Sequence, residues 1–219
     1  MIRAVIFDMD GLLVDSEPWW RTAETSVFGK LSKAPGEEDF ERMMGNRIQE
    51  VIRQWHARHP WEQADFGQVQ EMIVAEVERL VKANAQLLPG VGQTLRFFRE
   101  QNLRVALASS SPLRLIHSLT KHYGILEAFE LLCSAEDEEY GKPHPAVFLR
   151  AAKHLDVDPL HCLVFEDSFN GVLAAKAARM KCVAVPETNA FAQARFDIAD
   201  LKLRTLEEFD ANAWKKFNP

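Results

Sequence analysis

A short apolar run near the start of the chain, Ile2–Phe7, leads directly into two acidic residues, Asp8 and Asp10. The run is long enough for a strand buried on both faces and too short for a helix that packs on its own. If the strand ends there, the chain must turn for both acids to reach one pocket, and Gly11 supplies the backbone freedom for that turn. Two acids this close to the end of a buried strand repel each other and resist ionisation unless a cation holds them. The pattern therefore favours a metal site over an inert pair.

The following segment, residues 15–85, predicts helices and no convincing strand. The helical pattern begins after Ser16, which can cap the first turn. Because this helical block interrupts a chain that begins with a strand, it indicates an inserted all-α domain, here called the cap (residues 15–85). The core is then made of residues 1–14 and 86–219. Helices are predicted over Trp19–Phe28, Glu37–Met44, Arg47–His59 and Phe66–Asn84.

Strand and helix patterns alternate after the cap. Such β-α repeats predict a Rossmann-like α/β fold, in which helices cover both faces of a parallel sheet to give three α/β/α layers. The binding crevice of such a sheet lies at the carboxyl ends of its strands. Strands are predicted over Arg104–Ala108, Leu131–Ser134, Cys162–Phe165 and Cys182–Val185, and helices over Val91–Gln101, Pro112–Tyr123, Pro145–Leu155 and Asn170–Arg179.

Polar residues collect just past the predicted strands, where a ligand should bind. Ser109–Ser111 follow the second strand, Glu166–Ser168 follow the fourth, and Lys142 precedes another helix. Each cluster alone has a simpler interpretation, as a helix cap, a pair of acids near a helix start or a solvated lysine. Ser111 is interpreted mainly as the N-cap of the helix that follows it.

Composition limits the kinds of partner. The 219-residue chain has a formal net charge of −6, which argues against nucleic acid or an anionic membrane surface but not against a small anionic substrate. Its start lacks the pattern of a signal peptide, and its cysteines have no metal or redox spacing, so we expect a reduced, cytoplasmic protein. A monomer or weak dimer is expected. The three cysteines, interpreted as small buried hydrophobes, are Cys133, Cys162 and Cys182.

Taken together, the clusters resemble the four motifs of the haloacid dehalogenase superfamily, in its branch of phosphatases with a helical cap. Asp8-x-Asp10-Gly11 fits the first motif, Ser109 the second, Lys142 the third and Glu166-Asp167 the fourth. Any one of these is weak, but four in order on predicted strand ends are specific. The stretches Asp8–Trp20 and Leu107–Pro112 are also similar to bacterial hexitol and 2-deoxyglucose-6-phosphate phosphatases.

The resemblance implies a covalent mechanism. Asp8 would attack phosphorus to form an aspartyl-phosphate, while Asp10 would protonate the leaving alkoxide and then take a proton from water. Lys142 would supply a fixed positive charge. Ser109 and the backbone N–H of Ser110 would donate to the phosphate oxygens.

The resemblance also implies a cofactor, Mg²⁺. Its ligands would be Asp8, the backbone carbonyl of Asp10 and Asp167, together with waters and a phosphate oxygen. Glu166 is expected in the inner or the outer coordination shell.

Substrate selection is expected from residues around the entrance to the cap. Arg47 could reach across the crevice to a phosphate or sugar hydroxyl, although an exposed helical arginine is nearly as good an interpretation. Glu17 and Trp20 lie at the junction of core and cap, where an acid and an aromatic face suit a polyol; Trp20 could also be packing. Gly11 is included among the substrate-binding residues.

Several rival functions occur within this superfamily. Asp10 and Asp167 argue against a dehalogenase, and Asp10 argues against a phosphonate hydrolase. A hexose phosphomutase of the β-phosphoglucomutase type is the main rival. Such mutases carry a histidine where this chain has Trp20, which we expect neither to transfer a proton nor to reproduce the histidine's hydrogen bond. Phosphoglycolate and nucleotide monophosphates are alternative substrates, and a non-enzymatic binding protein on the same fold is a further alternative.

Overall fold

The core is a parallel sheet of six strands. The computed structural model describes residues 1–218. The strands are β1 (Ala4–Phe7), β2 (Arg104–Ser109), β3 (Leu131–Ser134), β4 (Cys162–Glu166), β5 (Lys181–Ala184) and β6 (Leu201–Lys202). They lie in the order β3-β2-β1-β4-β5-β6. The order along the chain reverses beside β1, and in sheets of this kind ligands bind beyond the strand ends at that reversal.

Helices cover both faces of the sheet. All four residues of β1 are fully buried, which explains its uninterrupted apolar sequence. Val5 and Phe7 belong to one buried cluster, whereas Ala4 and Ile6 belong to a second cluster that includes Phe148. The predicted three-layer α/β architecture is therefore confirmed. The helices are α1 (Glu17–Leu31), α2 (Glu37–Met43), α3 (Ile48–Arg58), α4 (Phe66–Asn84), α5 (Val91–Glu100), α6 (Leu113–His122), α7 (Ala146–His154), α8 (Phe169–Ala177) and α9 (Ala211–Lys215).

The first four helices form the predicted helical block. The ring of Phe28 lies 5.9 Å from those of both Trp55 and Trp61, at the apolar centre of this block. The chain enters and leaves the block side by side, because Asp15 N donates to Gln86 O at 3.0 Å. The domain boundaries stay a prediction, and Pro219, the last residue of the predicted core, lies outside the described residues.

Two site residues belong to the strands themselves and do not follow them. Ser109 and Glu166 were expected just past their strands, but they pair with Ser134 and Ala184 and form the last positions of β2 and β4. The very short β6 and the five-residue α9 were missed, because such short elements have no readable periodicity. All three cysteines are free and buried, as expected.

None of the helices within residues 1–218 combines the length and apolar character that a membrane crossing requires.

Candidate active site

Most of the polar residues singled out in the sequence line one pocket at the carboxyl edge of the sheet. Asp8 and Asp10 come from the segment after β1, Ser109 from the end of β2, and Asp167 from the segment after β4, while Lys142 reaches the pocket from the loop before α7. The pocket encloses about 680 Å³ of space, including the part open to solvent. The cap closes it from above with side chains that include Glu17, Trp20, Arg21, Glu24, Met43 and Val51.

Gly11 makes the turn that the two acids require. Its φ of +70° is a left-handed conformation, and a Cβ at this position would lie 2.4 Å from Asp167 Oδ2. Only glycine meets both conditions. Its N–H donates to Val14 O at 3.0 Å, so in this structure Gly11 shapes the turn and does not offer that N–H to a substrate.

A buried lysine is paired with the first acid. Lys142 Nζ donates to Asp8 Oδ1 at 2.5 Å and to Glu166 Oε1 at 2.6 Å, and the residue is 3% exposed. Burial by itself would lower the pKa of Lys142, but the two carboxylates raise it above its usual value. Lys142 is therefore a fixed positive charge beside Asp8.

The carboxylate of Glu166 is fully occupied by neighbouring groups of the protein. Its Oε1 accepts from Lys142, and its Oε2 accepts from Ser168 N at 2.9 Å and Ser168 Oγ at 3.0 Å. A Cβ on Gly171 would lie 1.8 Å from Glu166 Oε1, so α8 packs directly against this side chain. This arrangement suits an outer-shell position for Glu166 better than direct metal ligation.

Asp167, in contrast, has no hydrogen-bond donor on its carboxylate within residues 1–218, although it is only 4% exposed. Burial, together with the charges of Glu166 and Asp8, raises the pKa of Asp167 well above its usual value. Burial also raises the pKa of Asp8 to about 7, although Lys142 opposes the shift. Two neighbouring acids with one lysine leave an excess of negative charge that a cation would neutralise.

The residues at this site could hold Mg²⁺ only if water and substrate oxygens supply most of its ligands. Among the described residues no group of three His, Cys, Asp or Glu side chains has the spacing of a metal site. Magnesium commonly binds through one or two carboxylates and completes its octahedron with water and substrate phosphate oxygens. Asp8, Asp167 and a backbone carbonyl fit this pattern; four ligating carboxylates do not.

The second acid, Asp10, is held by several donors. Its Oδ1 accepts from Ser16 Oγ at 2.6 Å and from Trp20 Nε1 at 2.9 Å, and its Oδ2 accepts from Ser111 Oγ at 2.6 Å. Ser109 Oγ adds a longer contact of 3.4 Å to Oδ2. The side chain is thereby fixed in one orientation.

Two sequence interpretations are wrong at this point. Trp20 was expected not to reproduce the hydrogen bond of the mutase histidine, yet its indole N–H donates to Asp10. An indole N–H donates a hydrogen bond but does not act as an acid or base. The expectation that Trp20 does not transfer a proton is therefore unaffected. Ser111 was interpreted as a helix N-cap, but Pro112 occupies that position and the Ser111 hydroxyl is directed to Asp10.

Replacing Trp20 with phenylalanine tests its hydrogen bond to Asp10. The ring is kept and one charge-assisted hydrogen bond is lost, so we expect kcat to fall about 10-fold with little change in KM. Steady-state kinetics of phosphate release would measure this. The matched control is Trp19→Phe, because Trp19 packs next to Trp20 without lining the pocket. An unchanged kcat in Trp20→Phe would contradict this positioning role.

Arg47 lies between cap and core and does not line the pocket. Its guanidinium donates to Ala135 O at 3.1 Å, Glu138 O at 2.5 Å and Glu139 O at 3.2 Å, and pairs with Glu50 at 2.5 Å. The residue is 7% exposed, so the expectation of an exposed helical arginine is wrong. All its observed partners are protein groups.

The Arg47–Glu50 pair also contacts the end of the loop that carries Lys142. Gly141 N donates to Glu50 Oε1 at 3.2 Å. A Cβ on Gly141 would lie 2.8 Å from Arg47 Nε, so the loop has no room for a larger residue. Ser110 makes a second link to the cap, donating to Gly45 O at 2.8 Å.

Arg47→Ala separates two roles for this residue. If Arg47 holds the lysine loop against the closed cap, the variant should lose about 10-fold in kcat, because a loosened Lys142 is misplaced in the transition state. If it binds substrate, KM should rise and kcat should stay. We expect the fall in kcat, measured by steady-state kinetics. Arg42→Ala is the control, since the Arg42 side chain is 69% exposed.

Glu24 was not predicted from the sequence as a pocket residue. It lies seven residues after Glu17, and Glu17, Trp20 or Arg21, and Glu24 share one face of α1 at helical spacing. Burial raises the pKa of both Glu17 and Glu24 to about 8. The i, i+7 pattern of the two acids was visible in the sequence, but which side of α1 faces the pocket was not.

Comparisons with known proteins agree with this geometry. The family profile for haloacid dehalogenase-like hydrolases matches residues 2–179. Hexitol phosphatase B of Escherichia coli (strain K12) is 43% identical over 211 residues, which cover 96% of this chain and 95% of that protein. The phosphorylated carbohydrates phosphatase of Thermotoga maritima is 32% identical over 178 residues, covering 81% and 82% of the two chains.

Solved structures show the same fold. The crystal structure of β-phosphoglucomutase from Clostridium difficile superimposes with a TM-score of 0.85 and 24% identity, covering 100% of this chain and 98% of that one. At this identity the likeness concerns the fold alone.

Proposed function

We propose that this chain, which belongs to the haloacid dehalogenase-like hydrolase family, is a Mg²⁺-dependent phosphatase that forms an aspartyl-phosphate on Asp8. Its substrates would be small sugar or polyol phosphates of the hexose, hexitol or 2-deoxyglucose 6-phosphate type, in the cytoplasm. The observation that carries the proposal is the pair of acids after β1: Asp8 is bound to buried Lys142, and Asp10 is held by three short hydrogen bonds.

The first chemical step needs a nucleophile and an acid. Lys142 engages Asp8 Oδ1, and the other oxygen of Asp8 has no donor among the described residues, so it is available to attack phosphorus. The phosphorus–oxygen bond to the leaving group breaks while protonated Asp10 gives its proton to that oxygen. The positive charge of Lys142 stabilises the developing negative charge.

The second step reverses the role of Asp10. Asp10 takes a proton from water, the water oxygen attacks phosphorus, and the bond from phosphorus to Asp8 breaks to release inorganic phosphate. The Ser109 hydroxyl and the backbone N–H of Ser110 are proposed donors to the phosphate oxygens. Closure of the cap keeps other water away while the covalent bond exists.

Asp8, Asp167 and the backbone carbonyl of Asp10 would hold the Mg²⁺. Glu166 would not bind the ion directly but would hold Lys142 beside Asp8. The bound ion would supply charge neutralisation of the phosphate, which otherwise repels an anionic nucleophile. The unpartnered carboxylate of Asp167 supports this assignment.

The sugar or polyol class rests on two kinds of support. Relatives named as phosphatases of hexitols and of phosphorylated carbohydrates match most of the chain. The cap side of the pocket also combines the carboxyl group of Glu17 with the aromatic ring of Trp20, a pairing that suits a molecule with both C–H and O–H faces.

Phosphate release from a panel of hexose, hexitol, glycolate and nucleotide phosphates tests the proposal. We expect release that depends on Mg²⁺, is lost with EDTA, returns when Mg²⁺ is restored, and is fastest on hexose or hexitol phosphates. Equal release in EDTA would overturn the metal requirement. A preference for glycolate or nucleotide phosphates would overturn the substrate class.

One observation favours a second candidate, a hexose phosphomutase. The Trp20 indole makes the hydrogen bond to Asp10 that was expected only from a histidine. The same assay should therefore include conversion of β-glucose 1-phosphate to glucose 6-phosphate. Isomerisation without phosphate release would identify a mutase.

A further inference from the structure

Glu24 is a buried acid on the cap side of the pocket that the mechanism does not use. It lies on α1, lines the same pocket as Asp8 and Asp10, and is 7% exposed. The carboxyl group of Glu17 stands on the same face of the helix, nearer to Asp10 along the chain. This wall of the pocket therefore presents two acids to whatever occupies it.

The carboxyl group of Glu24 has no hydrogen-bond or ion-pair partner among residues 1–218. The nearby Arg21 pairs with Glu37 at 2.5 Å and lies 3.9 Å from Glu187. Burial, opposed only by Arg21, raises the pKa of Glu24 to about 8. Burying an unpartnered carboxyl group is costly, so a residue of this kind points to a role outside the packing of the cap.

The oxygens of Glu24 are not sealed from solvent. Within the described chain, the one buried side-chain atom that lacks both a partner and solvent contact is Oε1 of Gln49. Glu24 has no partner either, so its oxygens must be in contact with solvent. Because Glu24 lines the pocket, we infer that this contact is with the pocket.

The position of Glu24 along α1 sets a distance from the reaction. Trp20 touches Asp10, the acid proposed to protonate the leaving oxygen. Glu24 stands four residues further along, a rise of about 6 Å along the helix. A group held there is several bonds from phosphorus, at the far end of a leaving alcohol with a chain of several carbons.

We propose that Glu24 selects the leaving group by binding hydroxyl groups at the far end of a neutral polyol. This inference rests on the proposed phosphatase function and narrows its substrate class. A neutral polyol can exchange hydrogen bonds with a carboxyl group, whereas the two-carbon glycolate does not extend to the position of Glu24. A site discriminates strongly between two substrates when one of them leaves a buried polar group of the site without a hydrogen-bond partner.

Glu24→Gln tests the inference, since it keeps the size of the side chain and replaces its carboxyl group with an amide. The measurement is kcat/KM for a hexitol 6-phosphate and for 2-phosphoglycolate, with Mg²⁺. We expect the ratio of the two values to fall at least ~10-fold in the variant, through a loss on the hexitol ester that the glycolate ester does not share. The control is Glu38→Gln, because the Glu38 side chain is 88% exposed; its ratio should match that of the unmodified enzyme.

The outcomes separate this inference from the function on which it rests. If Glu24→Gln lowers kcat/KM equally for both esters, or leaves both unchanged, the selective role of Glu24 is overturned while the phosphatase stands. If the unmodified enzyme releases no phosphate from any ester, the proposed function and the inference both fail. Thermal unfolding of both variants checks that a change in the ratio does not come from a damaged fold.

Discussion

Asp8→Asn should abolish phosphate release, with kcat at least ~10⁴-fold below that of the unmodified enzyme. An amide is a far weaker nucleophile than a carboxylate, so the proposed covalent bond to phosphorus should not form. Lys142 keeps Glu166 as a partner, so the variant should fold. Phosphate release under saturating substrate measures the loss.

A control variant and a trapping experiment accompany this measurement. Asp15→Asn is the matched control, since Asp15 is an exposed acid of the same segment, and it should retain full activity. Rapid quenching with labelled substrate should trap phosphate on the unmodified protein and none on Asp8→Asn. Turnover by Asp8→Asn at even a tenth of the normal rate would contradict the covalent mechanism.

Lys142→Met should damage both catalysis and stability. The substitution keeps an unbranched side chain but removes the only cation found within hydrogen-bond distance of Asp8 and Glu166 among residues 1–218. We expect kcat to fall at least ~10³-fold, because the transferring group loses its fixed positive charge. We also expect a loss of about 3–5 kcal/mol in the free energy of unfolding of the metal-free protein, because breaking a buried ion pair leaves acids without a counterion.

The stability loss in Lys142→Met should depend on pH. Burial already raises the pKa of Asp8 to about 7, and Lys142 opposes that shift; without the lysine the folded-state pKa rises further. A group whose pKa is raised in the folded state binds more protons there than in the unfolded chain, so stability falls as pH rises through that range. The variant should therefore be closest to the unmodified protein near pH 5 and furthest from it near pH 8. Denaturant unfolding at several pH values with EDTA would measure this.

A double variant distinguishes the two effects of Lys142. Adding Glu166→Gln to Lys142→Met removes one of the stranded acids, so stability at pH 8 should partly return while kcat stays low. Recovery of activity together with stability would mean that Lys142 acts through folding alone. A stability profile of Lys142→Met that does not change with pH would contradict the electrostatic account.

Local sequence was sufficient to predict the framework of the site. The apolar run before Asp8, the β-α alternation and the helical block in between led to the three-layer fold that the structure has. Strand ends then indicated where Asp8, Asp10 and Asp167 would meet. These predictions succeeded because strand burial and helix periodicity are encoded by neighbouring residues.

Predictions for residues whose partners lie far away in the chain were less successful. Ser111 is 101 residues from Asp10, and Arg47 is 91 residues from Glu138. No local pattern could assign these hydrogen bonds, so before the fold was known Ser111 was interpreted as a helix cap, and Arg47 as a substrate-binding residue or, nearly as well, an exposed helical arginine. The prediction for Trp20 failed for a different reason. Trp20 is close to Asp10 in sequence, but the direction of its indole N–H depends on how α1 leaves the core.

The sequence by itself determined the fold class, the acids that follow the first strand and the lysine that accompanies them, because each depends on residue type and short-range order. Only the tertiary structure decided which groups these residues face. Packing of the cap on the core turned one side of α1, with Glu17 and Glu24, into the wall of the pocket and buried the Arg47 guanidinium against the Lys142 loop. Contacts of this kind depend on the relative placement of elements that are distant along the chain, and that placement is set by packing of the whole molecule rather than by any one segment.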